Sequence, residues 1–182
     1  MRLFFALPLP LDAKRVLGGW MEAHPGPRWA RPEGLHLTLA FLGELPEADH
    51  SALSACGRAV SSRHGAFELE TAGLSRFPRP QGASILFLEV RASSPLQALV
   101  TDLRGELRNA GLPLDPKPFR PHLTLARPRK PWSCADGPGP MAWRAERLLL
   151  LESRQGPTGS EYREAGAWEL IKPPPPAADS AP

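Results

Sequence analysis

The chain has 182 residues, 42% hydrophobic and 23% charged, which excludes wholesale disorder and allows a core without staples. No apolar run approaches the about 20 residues of a membrane-spanning helix, and two cysteines without CxxC spacing, Cys56 and Cys134, exclude a disulfide framework and a zinc cage. The net charge of +3 hides a bias of 18 Arg against 4 Lys, which suits a phosphate-bearing partner but is equally what a GC-rich coding sequence would give.

Residues 3–7 predict a short buried strand. Pro8 and Pro10 break this apolar start early, so no secretion signal is expected and a reducing cytoplasm fits the two cysteines. Asp12 is placed to cap a helix reaching about Ala23, with Val16, Leu17 and Trp20 on its apolar side, and Pro25-Gly26-Pro27 ends it. A strand over 35–42 and a helix from Pro46 to about Val60 follow, the latter with Leu53, Cys56 and Val60 at helical spacing. Strands over 67–74 and 85–90 flank a loop over 75–84. The next helix takes Ser94 as N-cap, Pro95 at its first position and Gly111 at its end, with Leu96, Leu99, Val100, Leu103 and Leu107 buried. A strand over 122–126, a loop over 127–141 and strands over 147–153 and 162–170 complete the pattern. Residues 172–182 read as a Pro/Ala-rich disordered tail, leaving 1–171 as one domain. His24, His50 and His64 read as surface residues.

Strand–helix–strand order occurs twice, and both second strands carry the tetrapeptide HLTL, at His36-Leu37-Thr38-Leu39 and His122-Leu123-Thr124-Leu125. In a strand, residues i and i+2 share a face. His36 and Thr38 therefore oppose Leu35, Leu37 and Leu39, and His122 and Thr124 oppose Leu123 and Leu125. Pseudo-two-fold halves would line one cleft with two imidazoles and two hydroxyls. That set suits in-line attack at phosphorus: one imidazole accepts a proton, the other donates one, and the hydroxyls hold the non-bridging oxygens. No metal or other cofactor is needed. A single His-x-Thr on a strand is most often a core histidine; two copies in matching contexts are not so readily dismissed.

The paired motifs and their flanks resemble the two-histidine phosphoesterase superfamily, in particular the RNA 2′,3′-cyclic phosphodiesterases or 2′-5′ RNA ligases. The resemblance runs over residues 1–171. It rests on Arg2-Leu3-Phe4-Phe5-Ala6, on Pro32-Glu33-Gly34 before the first motif with Phe41-Leu42-Gly43 after it, and on Phe119-Arg120-Pro121 and Arg127 around the second. Gly34, Ala40 and Phe87 depart from common family residues. The resemblance implies a bilobal α+β fold, two pseudo-symmetric lobes each with an antiparallel sheet backed by helices, around a central groove. It implies hydrolysis of RNA 2′,3′-cyclic phosphate ends to 2′-phosphates without metal, with His36 as proton donor and His122 as proton acceptor, beside Thr38 and Thr124. It also implies weak reversible 2′-5′ ligation and RNA with 2′,3′-cyclic phosphate or 2′-phosphate ends as partner, for a monomer off the membrane.

Arg127 lies at odd spacing from His122, so phosphate contact requires it to turn into the groove where the strand ends; Arg120, at even spacing, shares the groove face. Phe41, Phe77 and Phe119 are stacking candidates, although odd spacing favours core packing for Phe41 and Phe119. Tyr162, in the closing hairpin, reads as an interface aromatic, with a groove-side hydroxyl as the alternative. The rival readings are a non-catalytic module for RNA ends or nucleotides, and a phosphodiesterase for small cyclic nucleotides or 2′-5′ oligonucleotides.

Overall fold

The computed structural model describes residues 1–132, 134, 136–156 and 159–171; the expected disordered tail lies outside them. In chain order the main elements are β1 (Arg2–Pro8), α1 (Leu11–Ala23), β2 (His36–Glu44), α2 (His50–Ser61), β3 (Phe67–Pro78), β4 (Ser84–Val90), α3 (Ser94–Asn109), β5 (His122–Ala126), β6 (Ala142–Ala145), β7 (Arg147–Gly156) and β8 (Gly159–Glu169). Among the described residues the strands form one sheet in the order β6-β3-β4-β5-β2-β1-β7-β8. All pairings are antiparallel. The sheet divides at its middle, because β2 and β5 share only the pair Leu37↔Leu123. On either side stand equivalent units, β1–α1–β2 and β4–α3–β5, each motif strand lying innermost. The expected bilobal α+β architecture is therefore the observed one.

One face of the sheet is the main core. Leu3, Phe5 and Leu7 of β1, Leu37 of β2 and Leu123 of β5 are fully buried there, under Ala13, Leu17 and Met21 of α1, Leu53 and Val60 of α2, and the leucines of α3. All three helices thus pack on one face, and the opposite face is left concave. Its own smaller apolar cluster is Phe4, Ala6, Leu149 and Leu151, with Phe41 and Ala167 against it. β1 contributes to both clusters, which is why it reads as an unbroken apolar run rather than an alternation.

Helix ends follow local chemistry, with two corrections. Ser93, not Ser94, is the N-cap of α3: its hydroxyl accepts from the Leu96 amide at 3.4 Å, and Pro95 falls at the second helical position. Gly111 ends the helix as expected, at φ +71°, with the Leu112 amide donating to the Leu107 carbonyl at 3.0 Å and Gly111 to Arg108 at 2.9 Å. Asp12 does not cap α1; Pro10 holds that position with no side-chain bond, and Asp12 lies in the first turn. Val16 is exposed, and the buried stripe of α1 is Ala13, Leu17 and Met21. The helix expected from Pro46 opens as a short 3-10 turn, Glu47–Asp49, before α2. The loop expected over 75–84 is half strand: β3 continues to Pro78, because the hairpin partner β4 supplies pairing that Pro and Arg residues alone do not signal. The three other histidines are half-buried rather than surface residues, bonded to the Trp20 carbonyl, the Ala165 carbonyl and the Asp102 carboxylate respectively. Among the described residues no helix is long and apolar enough to cross a membrane.

Candidate active site

The two motif strands meet at the Leu37↔Leu123 pair, whose side chains point into the core. Antiparallel register carried one residue outward from that pair sets His36 across from Thr124 and Thr38 across from His122. The four polar side chains thus form a square on the concave face, with the imidazoles on one diagonal. In a regular antiparallel ladder such diagonal neighbours stand about 7–8 Å apart, room for a phosphate between two ring nitrogens. All four are half-buried, while Leu35, Leu37, Leu39, Leu123 and Leu125 are buried behind them.

Each imidazole is held in the same way. His36 Nδ1 lies 2.7 Å from the Gly34 carbonyl, and His122 Nδ1 lies 2.6 Å from the Arg120 carbonyl. A carbonyl only accepts, so Nδ1 carries the proton in both rings, and Nε2 is the atom left to exchange one. Aromatic rings steady both imidazoles. His36 packs against Phe4 with centroids 4.8 Å apart and edge-on to Tyr162 at 4.8 Å. His122 packs edge-on to Phe77 at 5.4 Å and to Phe87 at 5.2 Å, and those two phenyl rings stack on each other at 4.1 Å.

The environments then diverge. A cavity of about 730 Å³ opens beside His36, lined among others by Pro8, Lys14, Leu149, Leu151 and Tyr162, and does not include His122. Burial pushes the His36 pKa below the ordinary imidazole value, against the upward pull of the Gly34 carbonyl; the charges of Lys14 and His122 press it further down. Lys14 is held near the site by donation from Nζ to the Glu33 carbonyl at 2.8 Å.

Both motif strands carry a bulge at the same place. Ala6 pairs with Thr38 but Phe5 with Ala40, so Leu39 is an extra residue; Phe87 pairs with Thr124 but Leu86 with Ala126, so Leu125 is. Past each bulge the alternation reverses. Phe41 consequently faces the concave side across from Phe4, with Arg2 over its ring at 5.1 Å, and not the main core that its odd spacing suggested. Arg127 follows the bulge at Leu125 and is exposed just beyond the strand end. Phe119 does pack on the main core, as its spacing suggested. Arg120 has an exposed side chain, and its contribution to the site is its carbonyl. Phe77 touches His122 directly. Tyr162, read from the sequence chiefly as an interface aromatic, forms half of the wall around His36, and its ring fills the bare flank of Gly34.

Residues 9–155 match the family described as 2'-5' RNA ligase superfamily. A Thermus thermophilus protein named RNA 2',3'-cyclic phosphodiesterase is 32% identical over 175 residues, 89% of this chain and 86% of that relative. A protein of the same name from Geobacillus stearothermophilus is 33% identical over 128 residues, 68% of this chain, and the match spans 41% of that relative's length. The solved structure of E. coli LigT complexed with 3'-AMP matches with a TM-score of 0.79 at 27% identity, covering 93% of this chain and 97% of that one.

Proposed function

Because the chain belongs to the 2′-5′ RNA ligase superfamily, we propose that it hydrolyses RNA 2′,3′-cyclic phosphate ends to 2′-phosphomonoesters by acid–base catalysis between His36 and His122, with no metal taking part. The observation that carries this reading is the matched Nδ1–carbonyl bond of the two rings, which leaves two Nε2 atoms on one face as the proton-exchanging pair.

The step balances without another reactant. Water attacks phosphorus in line with O3′, and the P–O3′ bond breaks. His122 Nε2 takes the proton of the water, and His36 Nε2 gives one to O3′. Thr38 and Thr124 donate to the non-bridging oxygens, where charge must be held in the transition state, and Arg127 adds a guanidinium on the same face. Solvent exchange restores both protonation states. A 5′-hydroxyl in place of water forms a 2′-5′ linkage by the same route.

Burial, which lowers the His36 pKa, favours the neutral ring in the empty groove. An arriving phosphate anion favours the imidazolium, so substrate itself loads the acid. The chain acts as a monomer, since it supplies both motif strands, and in the cytoplasm, where free Cys56 and Cys134 stay reduced.

The test is incubation with an RNA oligonucleotide ending in a 2′,3′-cyclic phosphate, in excess EDTA, beside His36→Ala and His122→Ala. A 2′-phosphate product from the unaltered protein alone is expected. Absence of product with RNA still bound would leave a binding module instead.

A further inference from the structure

Charge is distributed unevenly along the chain. Residues 71–88 carry two cations, Arg76 and Arg79, and no acid; residues 116–135 carry five, Lys117, Arg120, Arg127, Arg129 and Lys130, and no acid. The other 144 residues hold 15 cations against 19 acids, so the chain's whole positive excess lies in these two stretches.

The fold sets them side by side. Leu86 pairs with Ala126, and the Ser84 amide donates to the Pro128 carbonyl at 3.0 Å, so the β3–β4 turn flanks the segment that leaves β5. Arg79 lies at that turn, its amide donating to the Ala83 carbonyl at 2.9 Å. Arg79, Arg127, Arg129 and Lys130 are all exposed. Arg76 alternates to the face opposite Phe77 and lies off this edge. Among the described residues none of the four has an ion-pair partner, whereas Arg63, Arg91, Arg144, Arg147 and Arg154 elsewhere are all matched to carboxylates. The row starts at the groove, since Phe77, two residues before Arg79, touches His122.

We propose that this edge is a track for the phosphates of a single-stranded RNA that lead up to the reacting end, so that the protein favours oligonucleotides over cyclic mononucleotides. The proposal deepens the RNA-end reading above and rests on it. Unneutralised guanidinium groups match phosphate oxygens bidentately. An acidic peptide would satisfy the charge alone, but aromatic surface lies along the edge as well: Phe77 at its start and half-buried Trp132 just past Lys130, braced against Trp29 at 5.1 Å. Cations with interleaved rings are the pattern of a single-strand nucleic-acid surface.

The variant Arg79→Ala/Arg129→Ala/Lys130→Ala tests it, leaving the groove untouched. A labelled ten-nucleotide RNA with a 2′-phosphate end is titrated by fluorescence anisotropy across a salt series, and turnover is measured on a 2′,3′-cyclic mononucleotide and on the oligonucleotide with a cyclic end. Each single-strand phosphate contact contributes about 0.7 to the salt slope, so the variant is expected to lose about 2 from it. Its RNA Kd rises about tenfold or more at low salt, while mononucleotide turnover stays within about twofold. Unchanged affinity and slope would overturn the track. So would mononucleotide turnover falling in step with the oligonucleotide, or polyglutamate of matched length binding as tightly as RNA. Failure of the RNA-end reading is a separate result: the unaltered protein would turn over neither substrate, and the binding series would still report on the track.

Discussion

Gly34 and Tyr162 share one space. A methyl group on Gly34 would lie 3.1 Å from the Tyr162 ring, closer than ordinary packing allows. The same glycine's carbonyl holds His36 Nδ1, and the same tyrosine meets the His36 ring edge-on. Gly34→Ala is therefore expected to displace Tyr162 and loosen His36, lowering kcat about tenfold to a hundredfold, since a shift of about 1 Å in a catalytic group costs that much. Combining Gly34→Ala with Tyr162→Ala relieves the contact. The imidazole proton shifts of His36 in NMR spectra should then return toward the parent values. A single variant with parent kcat would show that the tyrosine has no hold on the histidine.

His122→Asn separates orientation from chemistry. The asparagine amide can reproduce the donation to the Arg120 carbonyl but has no Nε2. Turnover of the cyclic end should fall by about 10²- to 10⁴-fold, the range typical of a lost acid–base group. The melting temperature should stay within a few degrees, where a merely structural histidine would show the reverse pattern.

Lys14 acts on the acid at a distance. Its charge is one of the causes that lower the His36 pKa, after burial. Lys14→Met should raise that pKa, seen by NMR titration, and move the alkaline limb of the kcat/KM profile to higher pH. No movement in either would remove Lys14 from the site's electrostatics. Linkage gives a second reading. The folded-state pKa lies below the ordinary 6.5, so the unfolded chain binds this proton more readily. The stability at stake is full above about pH 6.5 and is lost as pH falls through the lowered value. His36→Asn should flatten the stability profile in that window, measured by denaturant titration.

The join between the halves is expected to be sensitive. Leu37 and Leu123 are both fully buried, and theirs is the pair through which β2 meets β5. Leu37→Ala should destabilise by about 2–5 kcal/mol, the range for truncating a buried leucine. Adding Leu123→Ala should cost less than the sum of the two single changes, because the sites touch. Strict additivity in urea melts would argue against the pairing.

The motif strands were legible because two signals agree there. Period-two alternation separates His36 and Thr38 from their leucines, and the repetition at His122 and Thr124 marks a duplicated unit. The pairing across the duplication followed from symmetry. The contact of Tyr162 with His36 was not legible, since it depends on how the β7–β8 hairpin sits against β2, which no local pattern encodes. Phe41 was assigned the wrong parity because a bulge leaves no mark in composition: Leu39 looks like any core leucine. The N-cap of α3 was misplaced by one position because Ser93 and Ser94 carry identical chemistry and only the helix's first turn distinguishes them.

Those two bulges also act as notches. Apolar patterning forbids a strand to slip by one residue, which would turn its greasy side outward, but it tolerates a slip of two. A two-residue slide of β1 along β2 would set the extra residue at Leu39 against the wrong part of its neighbour, and the same holds for β4 along β5 at Leu125. Each histidine strand is thereby keyed to the strand outside it at a single setting, leaving Leu37 and Leu123 to choose only how the two keyed pairs meet.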